Sequence, residues 1–339
     1  MPAKLHAQFM AFHKAIALDK AAKSLEDKRE ILQDDIEKNL PKELDKIGLH
    51  ITKSDMHFFD QGSYRQKTST GIESPNPDRD VAVEFPIDIK KFDDPRKIKQ
   101  CVRDALKIEN CREPRIKEPC ITVAYLREGE ENTHIDFPVY AIDQEQRYLA
   151  RGKENGKSFD WELCDPHGLN DYLDNLFSGD EGNQFRRVVR YLKKWKLENY
   201  SASCSKDQMP PSIALTLIAG DKFIYQQTDE QDDDMNALSR VVDGVMSLFN
   251  YDVVSAQHTI SYKLPVEPKS NVFYKMTPNS QNEFYEKWVK LSIGLHNAIK
   301  ASEDYEAAKI LQKILGEDFP LPPKPVAKTG AARKEYSYA

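Results

Sequence analysis

Three short segments carry residue types suited to phosphoryl chemistry: Asp60-Gln61-Gly62-Ser63-Tyr64-Arg65, Asp78-Arg79-Asp80-Val81 and His134-Ile135-Asp136-Phe137. In a strand, Asp78 and Asp80 point to one face with Cα atoms about 7 Å apart, so both carboxylates reach one cation cluster. Val81, Val83 and Phe85 carry that strand into a core. Two acids at its mouth repel each other unless a positive partner lies between them, and hard divalent cations on carboxylate oxygens supply one. Asp136 heads a second β-prone run, His134 to Tyr140, and an adjacent strand would deliver it as a third carboxylate. Three such acids can hold two Mg²⁺ ions about 4 Å apart, with Mn²⁺ as the alternative metal, which activates an attacking hydroxyl and stabilises a leaving pyrophosphate. Gly62 lets the backbone approach a phosphate closely, Ser63 and adjacent N–H groups donate to its oxygens, and a helix starting near Tyr64 adds a favourable dipole.

Each feature alone has an ordinary structural reading: a Gly-Ser turn, a solvated strand end, an Asp that caps or pairs. Their occurrence together and in this order points to a site. The elements that must position them follow from the pattern. Leu25, Leu32, Ile36 and Leu40 fall on a helical period among charged residues and Pro41 closes the run, which predicts a long amphipathic helix from Lys23 to Leu40. Short β-prone runs separated by Gly, Pro, Asn and Ser then predict a small mixed sheet between about Met56 and Ile142, with a hairpin connection at Arg127 to Asn132. After about Arg151 helical periodicity takes over. Phe185, Val188, Val189, Leu192 and Trp195 form an apolar stripe on a helix whose other faces are basic. Pro210-Pro211 and Gly220 bracket a short apolar helix, Ser212 to Ala219, and Asp229 to Asp234 reads as a solvated acidic loop. A helix pair from about Asn282 to Leu315 precedes a Pro-, Ala- and Lys-rich tail read as mobile.

With 339 residues, 49 Lys and Arg against 55 Asp and Glu, and a formal net charge of -6, the chain has material for two packed units and no general basic footprint. A stable nucleic-acid partner is not expected. The longest apolar stretch, Ser212 to Ala219, is far short of the roughly 20 residues that cross a bilayer, and Met1 to Lys20 has no basic region followed by a long apolar run. A cytoplasmic location without membrane attachment is the expectation. Five scattered cysteines with no Cys-x-x-Cys pair read as reduced thiols.

Gly62-Ser63 followed by Asp78-x-Asp80 and a distal Asp136 resembles the DNA polymerase β-like nucleotidyltransferase superfamily. Gln61-Gly62-Ser63-Tyr64, Thr133 to Ile142 (THIDFPVYAI), Arg190 to Trp195 (RYLKKW) and Pro211-Ser212-Ile213 resemble, in order, the bacterial cGAS/DncV-like nucleotidyltransferases (CD-NTases), in particular the DncV-like branch. The resemblance implies an α+β fold, a polymerase β-like core with a mixed sheet and an N-terminal spine helix packed against a C-terminal helical domain. The implied division is 1–155 for the core with its N-terminal helices, 156–320 for the helical domain and 321–339 for a flexible tail. It implies a synthase that joins nucleoside triphosphates, ATP and/or GTP, into a cyclic di- or trinucleotide messenger that activates an antiphage effector. By position, Asp78 and Asp80 would bind two Mg²⁺ ions and Asp136 would complete the metal and catalytic site. Gln61, Gly62 and Ser63 would contact the donor triphosphate, and Lys193 and Ser212 would clamp it from the helical side.

One departure matters. Where the cyclic GMP-AMP synthase of this branch carries a guanine-reading arginine, the matching position here is Thr122, so base choice is not inherited. The tail resembles those of type II CBASS enzymes, whose small terminal residue is conjugated to targets by a ubiquitin-transfer-like ligase; Ala339 fits that pattern. Two alternatives use the same residues, a linear oligoadenylate- or tRNA-end-type transferase and a catalytically silent conjugation or binding partner. The acidic balance speaks against the tRNA type, and three intact acids against the silent one.

Overall fold

A computed structural model describes residues 4–18, 22–71, 78–108, 111–127, 130–201, 203–205 and 207–324. The chain opens with helices α1 (His6–Ile16) and α2 (Ala22–Asp45). Leu25, Leu32, Ile36, Leu40 and Leu44 are all buried along α2, one stripe at helical spacing. The helix does not stop at Pro41 but runs through it to Asp45. Leu40 and Leu44, on either side of the proline, are both in the core, and their burial holds the turn that the missing N–H weakens.

The sheet elements follow as β1 (His57–Gln61), the single turn α3 (Gly62–Arg65), β2 (Asp78–Pro86), α4 (Pro95–Leu106), β3 (Arg115–Ile116), β4 (Ile121–Arg127), β5 (Glu130–Phe137), β6 (Val139–Asp143), β7 (Gln146–Gly152) and β8 (Phe159–Cys164). They form one mixed sheet in the order β3-β4-β5-β2-β6-β7-β8, with β1 paired to β2. β2 runs parallel to β5 and β6 without a change of register, Asp78 opposite His134 and Val83 opposite Val139. The run read as His134 to Tyr140 is therefore two strands in line, broken at Pro138, whose carbonyl accepts from the Val83 N–H at 3.0 Å. The sheet also continues past Ile142 to Cys164. In β7 only Ala150 and Gly152 are buried, so no apolar run announces that strand.

The rest is helical: α5 (Pro166–Asp174), α6 (Gly179–Asn199), α7 (Ser212–Lys222), α8 (Asp234–Met246), α9 (Pro278–Lys300) and α10 (Asp304–Leu315), with two small hairpins, β9 (Gln227–Thr228) with β10 (Gln231–Asp232) and β11 (Phe249–Asp252) with β12 (Gln257–Ile260). α7 passes through Gly220 to Lys222 rather than ending there. A Cβ at Gly220 would lie 2.9 Å from Leu176 Cδ1, so the glycine serves close packing and not termination. Two cores result. One joins α2, α4 and the sheet; the other joins α6 to α10 and, from the far end of the sequence, Phe9, Phe12 and Ile16 of α1.

The stripe on α6 is buried as its spacing predicts, but Arg187, Lys193, Lys194 and Lys196 are buried with it. Each of these cations has a partner, as buried charge requires. Arg187 forms a fork with Asp234, at 2.7 Å and 2.8 Å, and reaches Asp232 at 2.7 Å. That corrects the reading of Asp229 to Asp234 as a solvated loop: Asp229 is exposed, Asp233 caps α8 by accepting from Asn236 N, and Asp234 is buried. The tail from 325 onward, including Ala339, lies outside the described residues, as do residues 72–77 of the loop between α3 and β2. Among the described residues no helix is long and apolar enough to cross a membrane, and all five cysteines are free.

Candidate functional site

Strand register assembles the site. Gln61 lies opposite Asp80, Asp80 opposite Asp136, Asp136 opposite Thr122, and Thr122 opposite Arg115. Opposed residues on neighbouring strands share a face. Side chains from β1, β2, β5, β4 and β3 therefore stand in one row across the sheet, with Asp78 on the same face of β2. Thr122, singled out in the sequence for what it is not, donates from Oγ1 to Asp136 Oδ1 at 2.5 Å. Lys117 Nζ and His134 Nε2 lie 4.0 Å and 3.9 Å from the same carboxylate. Cys120, beneath this end of the row, is pushed up to about 12 by burial and by the Asp136 carboxylate, so it stays a neutral thiol.

Arg79, between the two acids of β2, points to the opposite face and is 2% exposed. Its guanidinium forks onto Asp60 with two 2.7 Å bonds, reaches Glu26 of α2 at 2.5 Å, and lies 4.1 Å over the Tyr64 ring. One buried cation thus ties α2, β1 and α3 to the strand that presents Asp78 and Asp80. The sequence signal was available, because alternation alone puts residue 79 on the core side.

Gly62 has φ +67, and a Cβ there would lie 2.4 Å from Asp80 Oδ2. Its backbone conformation and its closeness to the acid both demand glycine. The Gln61 Oε1 accepts from the Tyr140 hydroxyl at 2.9 Å, which leaves the amide NH₂ as the free end of that side chain. Burial pushes the Tyr140 phenol up, so it remains a donor. Ser63 Oγ is 3.0 Å from Ser69 Oγ.

Across from this loop stand α6 and α7. Lys193, 1% exposed, donates to the Thr68 carbonyl at 3.1 Å, and Lys196 donates to Ser212 Oγ at 2.6 Å. Asn170 of α5 donates to the Asp60 carbonyl at 3.0 Å. Between the two lobes lies a cleft of about 370 Å³ whose lining includes Gln61, Gly62, Ser63, Asp78, Asp80, Lys193 and Ser212. Of the residues singled out in the sequence, these seven line one space. Asp136 is not in that lining but stands beside Asp80 in the row, and Ala339 lies outside the described residues. Sequence reasoning gave no role to Tyr140, Arg79, Asn170 or Lys196.

Among the described residues, no three His, Cys, Asp or Glu side chains converge closely enough to chelate an ion on their own. The donors on the cleft face of β2 and β5 are nonetheless carboxylates at adjacent register positions, and Gly62 leaves space above Asp80. This set suits a hard cation that one or two carboxylates hold together with substrate phosphates, the usual arrangement for Mg²⁺.

Residues 56–140 match the family model for the nucleotidyltransferase domain of proteins like the cyclic GMP-AMP synthase DncV. That segment holds Gln61, Gly62, Ser63 and all three acids. Among solved structures, the chain is similar to the Vibrio cholerae DncV cyclic AMP-GMP synthase, described as a prokaryotic cGAS homolog, with TM-score 0.68 at 18% identity over 94% of this chain and 97% of that one. The same Vibrio cholerae protein in complex with the linear intermediate 5' pppA(3',5')pG gives 0.70 at 18% over the same shares. Its complex with nonhydrolyzable GTP gives 0.66 at 19%, over 91% and 93%. The α+β fold expected from the sequence is the observed one.

Proposed function

We propose that this chain, whose residues 56–140 match the DncV-like nucleotidyltransferase domain within a fold shared with the Vibrio cholerae synthase, is a cyclic oligonucleotide synthase. It joins ATP and/or GTP, releases pyrophosphate, and closes a cyclic di- or trinucleotide that serves as a second messenger for an antiphage effector. The observation that carries this reading is the row Gln61, Asp80, Asp136, Thr122 across the sheet, of which Gln61 and Asp80, together with Asp78, line a cleft whose other wall supplies Lys193 and Ser212.

The Gln61 amide, the Ser63 hydroxyl and the Gly62 backbone bind the donor triphosphate from the core lobe; Lys193 and Ser212 bind it from the helical lobe. Asp78, Asp80 and Asp136 would hold Mg²⁺, or Mn²⁺ in its place, which when bound would supply the charge that lowers the pKa of the acceptor hydroxyl and neutralises the leaving group. Asp136, with Oδ1 fixed by Thr122, keeps Oδ2 for the acceptor hydroxyl and its proton. The acceptor oxygen bonds to the α-phosphorus, the bond from that phosphorus to the bridging oxygen breaks, and pyrophosphate departs with that oxygen. A second round on the linear product closes the ring; the linear intermediate held by the Vibrio cholerae enzyme supports a two-step course. The chain works in the cytoplasm, and its tail, ending at Ala339, is the substrate of a ubiquitin-transfer-like ligase.

The test is incubation of the full chain with the four NTPs and Mg²⁺ or Mn²⁺, then phosphatase treatment and mass spectrometry. Phosphatase-resistant cyclic product is expected; linear, phosphatase-sensitive chains alone would refute cyclisation.

A further inference from the structure

A second cavity, of about 260 Å³, lies against the cleft and shares Gln66, Thr68, Leu173 and Thr216 with it. Its remaining lining brings three cations, Arg65, Lys67 and Arg186, against one carboxylate, Asp174. Arg65 of α3 and Asp174 of α5 are paired at 2.6 Å. Gln66, which lines both spaces, has a buried Nε2 with no hydrogen-bond partner among the described residues. The wall beside it is held by α6, whose Lys193 and Arg190 donate to the carbonyls of Thr68 and Ser69 at 3.1 Å and 3.2 Å.

We propose that this side pocket receives inorganic pyrophosphate as it leaves the cleft. The proposal rests on reading the cleft as a nucleotidyltransferase site. A polyphosphate released between two lobes reverses the reaction if it stays against the α-phosphorus, and an adjoining cationic pocket draws it away. Arg65, Lys67 and Arg186 match its charge. Asp174 holds Arg65 until the anion arrives and competes with it for the guanidinium. Phe177 and Phe185 complete the lining; their rings lie 4.9 Å apart and pack on each other, so the three cations define the ligand class, and the second arm of the experiment separates a polyphosphate from a nucleotide.

The experiment is calorimetric titration of the full chain with inorganic pyrophosphate and, in a second arm, with a nonhydrolysable ATP analogue, both in Mg²⁺ buffer. Lys67→Gln combined with Arg186→Gln should weaken pyrophosphate binding about tenfold and leave the analogue within about twofold. Asp174→Asn should tighten pyrophosphate binding, because it frees Arg65, whereas Arg65→Gln should weaken it. A bridge that only holds the lobes together would move both of those variants in the same direction, and that result would overturn the proposal. So would pyrophosphate binding that ignores Lys67 and Arg186, or analogue binding that falls in parallel, which would make the pocket part of the triphosphate site. Variant-sensitive pyrophosphate binding in a chain that forms no nucleotide product upholds the anion pocket and refutes the nucleotidyltransferase reading; product formation with variant-blind pyrophosphate does the reverse.

Discussion

The sheet row and helix α6 hold their charges in opposite ways. On the cleft face of β2 and β5 three carboxylates are gathered by register, Asp136 bonded to Thr122 in the same row with Lys117 and His134 at 4.0 Å and 3.9 Å, while Arg79 orders β2 from the opposite face through Asp60. On α6 the cations are inside the fold, each bound to an acid, a hydroxyl or a carbonyl: Arg187 to Asp234, Lys194 to Asp318 at 2.6 Å, Lys196 to Ser212. The first arrangement gathers like charges at the edge of a cleft, and the second pairs each charge inside the fold. Lys193 stands between the two, buried and bonded to Thr68 yet lining the cleft. On the proposed reading the acids of β2 and β5 serve chemistry and the cations of α6 architecture, with Lys193 serving both.

That contrast can be broken by separating activity from stability. The largest effect is expected at Asp136→Asn, which should lower kcat on the order of 10³-fold, about 4 kcal/mol, while leaving the thermal midpoint in place. A comparable fall in midpoint would place Asp136 with the architectural charges. Next comes Asp234→Ala, which removes the fork on the Arg187 guanidinium, leaving it Asp232 alone, and takes from the Tyr191 hydroxyl its 2.8 Å acceptor, leaving the Phe9 carbonyl at 3.1 Å. It should destabilise the fold by about 3–5 kcal/mol in denaturant titration, with the specific activity of the folded fraction kept. Lys193→Met, the bridging case, should cost about 2 kcal/mol of donor binding, seen as roughly a thirtyfold rise in KM with a smaller change in kcat. The smallest effect is expected at Thr122→Val, about 1 kcal/mol in kcat, recovered by Thr122→Ser because the serine hydroxyl restores the bond to Asp136. Failure of serine to rescue would show that Thr122 acts through its methyl packing.

How much of this was legible in the sequence follows the same division. Gln61, Gly62, Ser63, Asp78, Asp80 and Asp136 stand in short motifs on strand ends, where local spacing fixes the face, and the structure brings them to one row or one cleft. Lys193 and Ser212 came from resemblance, since nothing in helical periodicity tells which basic residue of α6 turns toward another lobe. The buried pairings of α6 were hidden because Asp232 and Asp234 lie more than 40 residues along in the chain, and a lone acidic run reads as solvated. β7 and β8 escaped notice because their faces are half-buried and polar, with Arg147 held by Glu84 at 2.7 Å and Arg151 by Glu162 at 2.7 Å rather than by an apolar layer. Pro41 and Gly220 misled as stops because tertiary burial overrode local propensity.

The central claim, that the acids of β2 make a cleft between two lobes into a site of metal-dependent nucleotidyl transfer, is tested most directly by α-phosphate-labelled ATP and GTP. Label incorporated into phosphatase-resistant product is measured with and without Mg²⁺, for the native chain and for Asp78→Asn with Asp80→Asn. Incorporation that requires Mg²⁺ in the native chain and disappears in the double variant, at an unchanged thermal midpoint, is the expected result; equal incorporation by both chains, or incorporation indifferent to the metal, would contradict it.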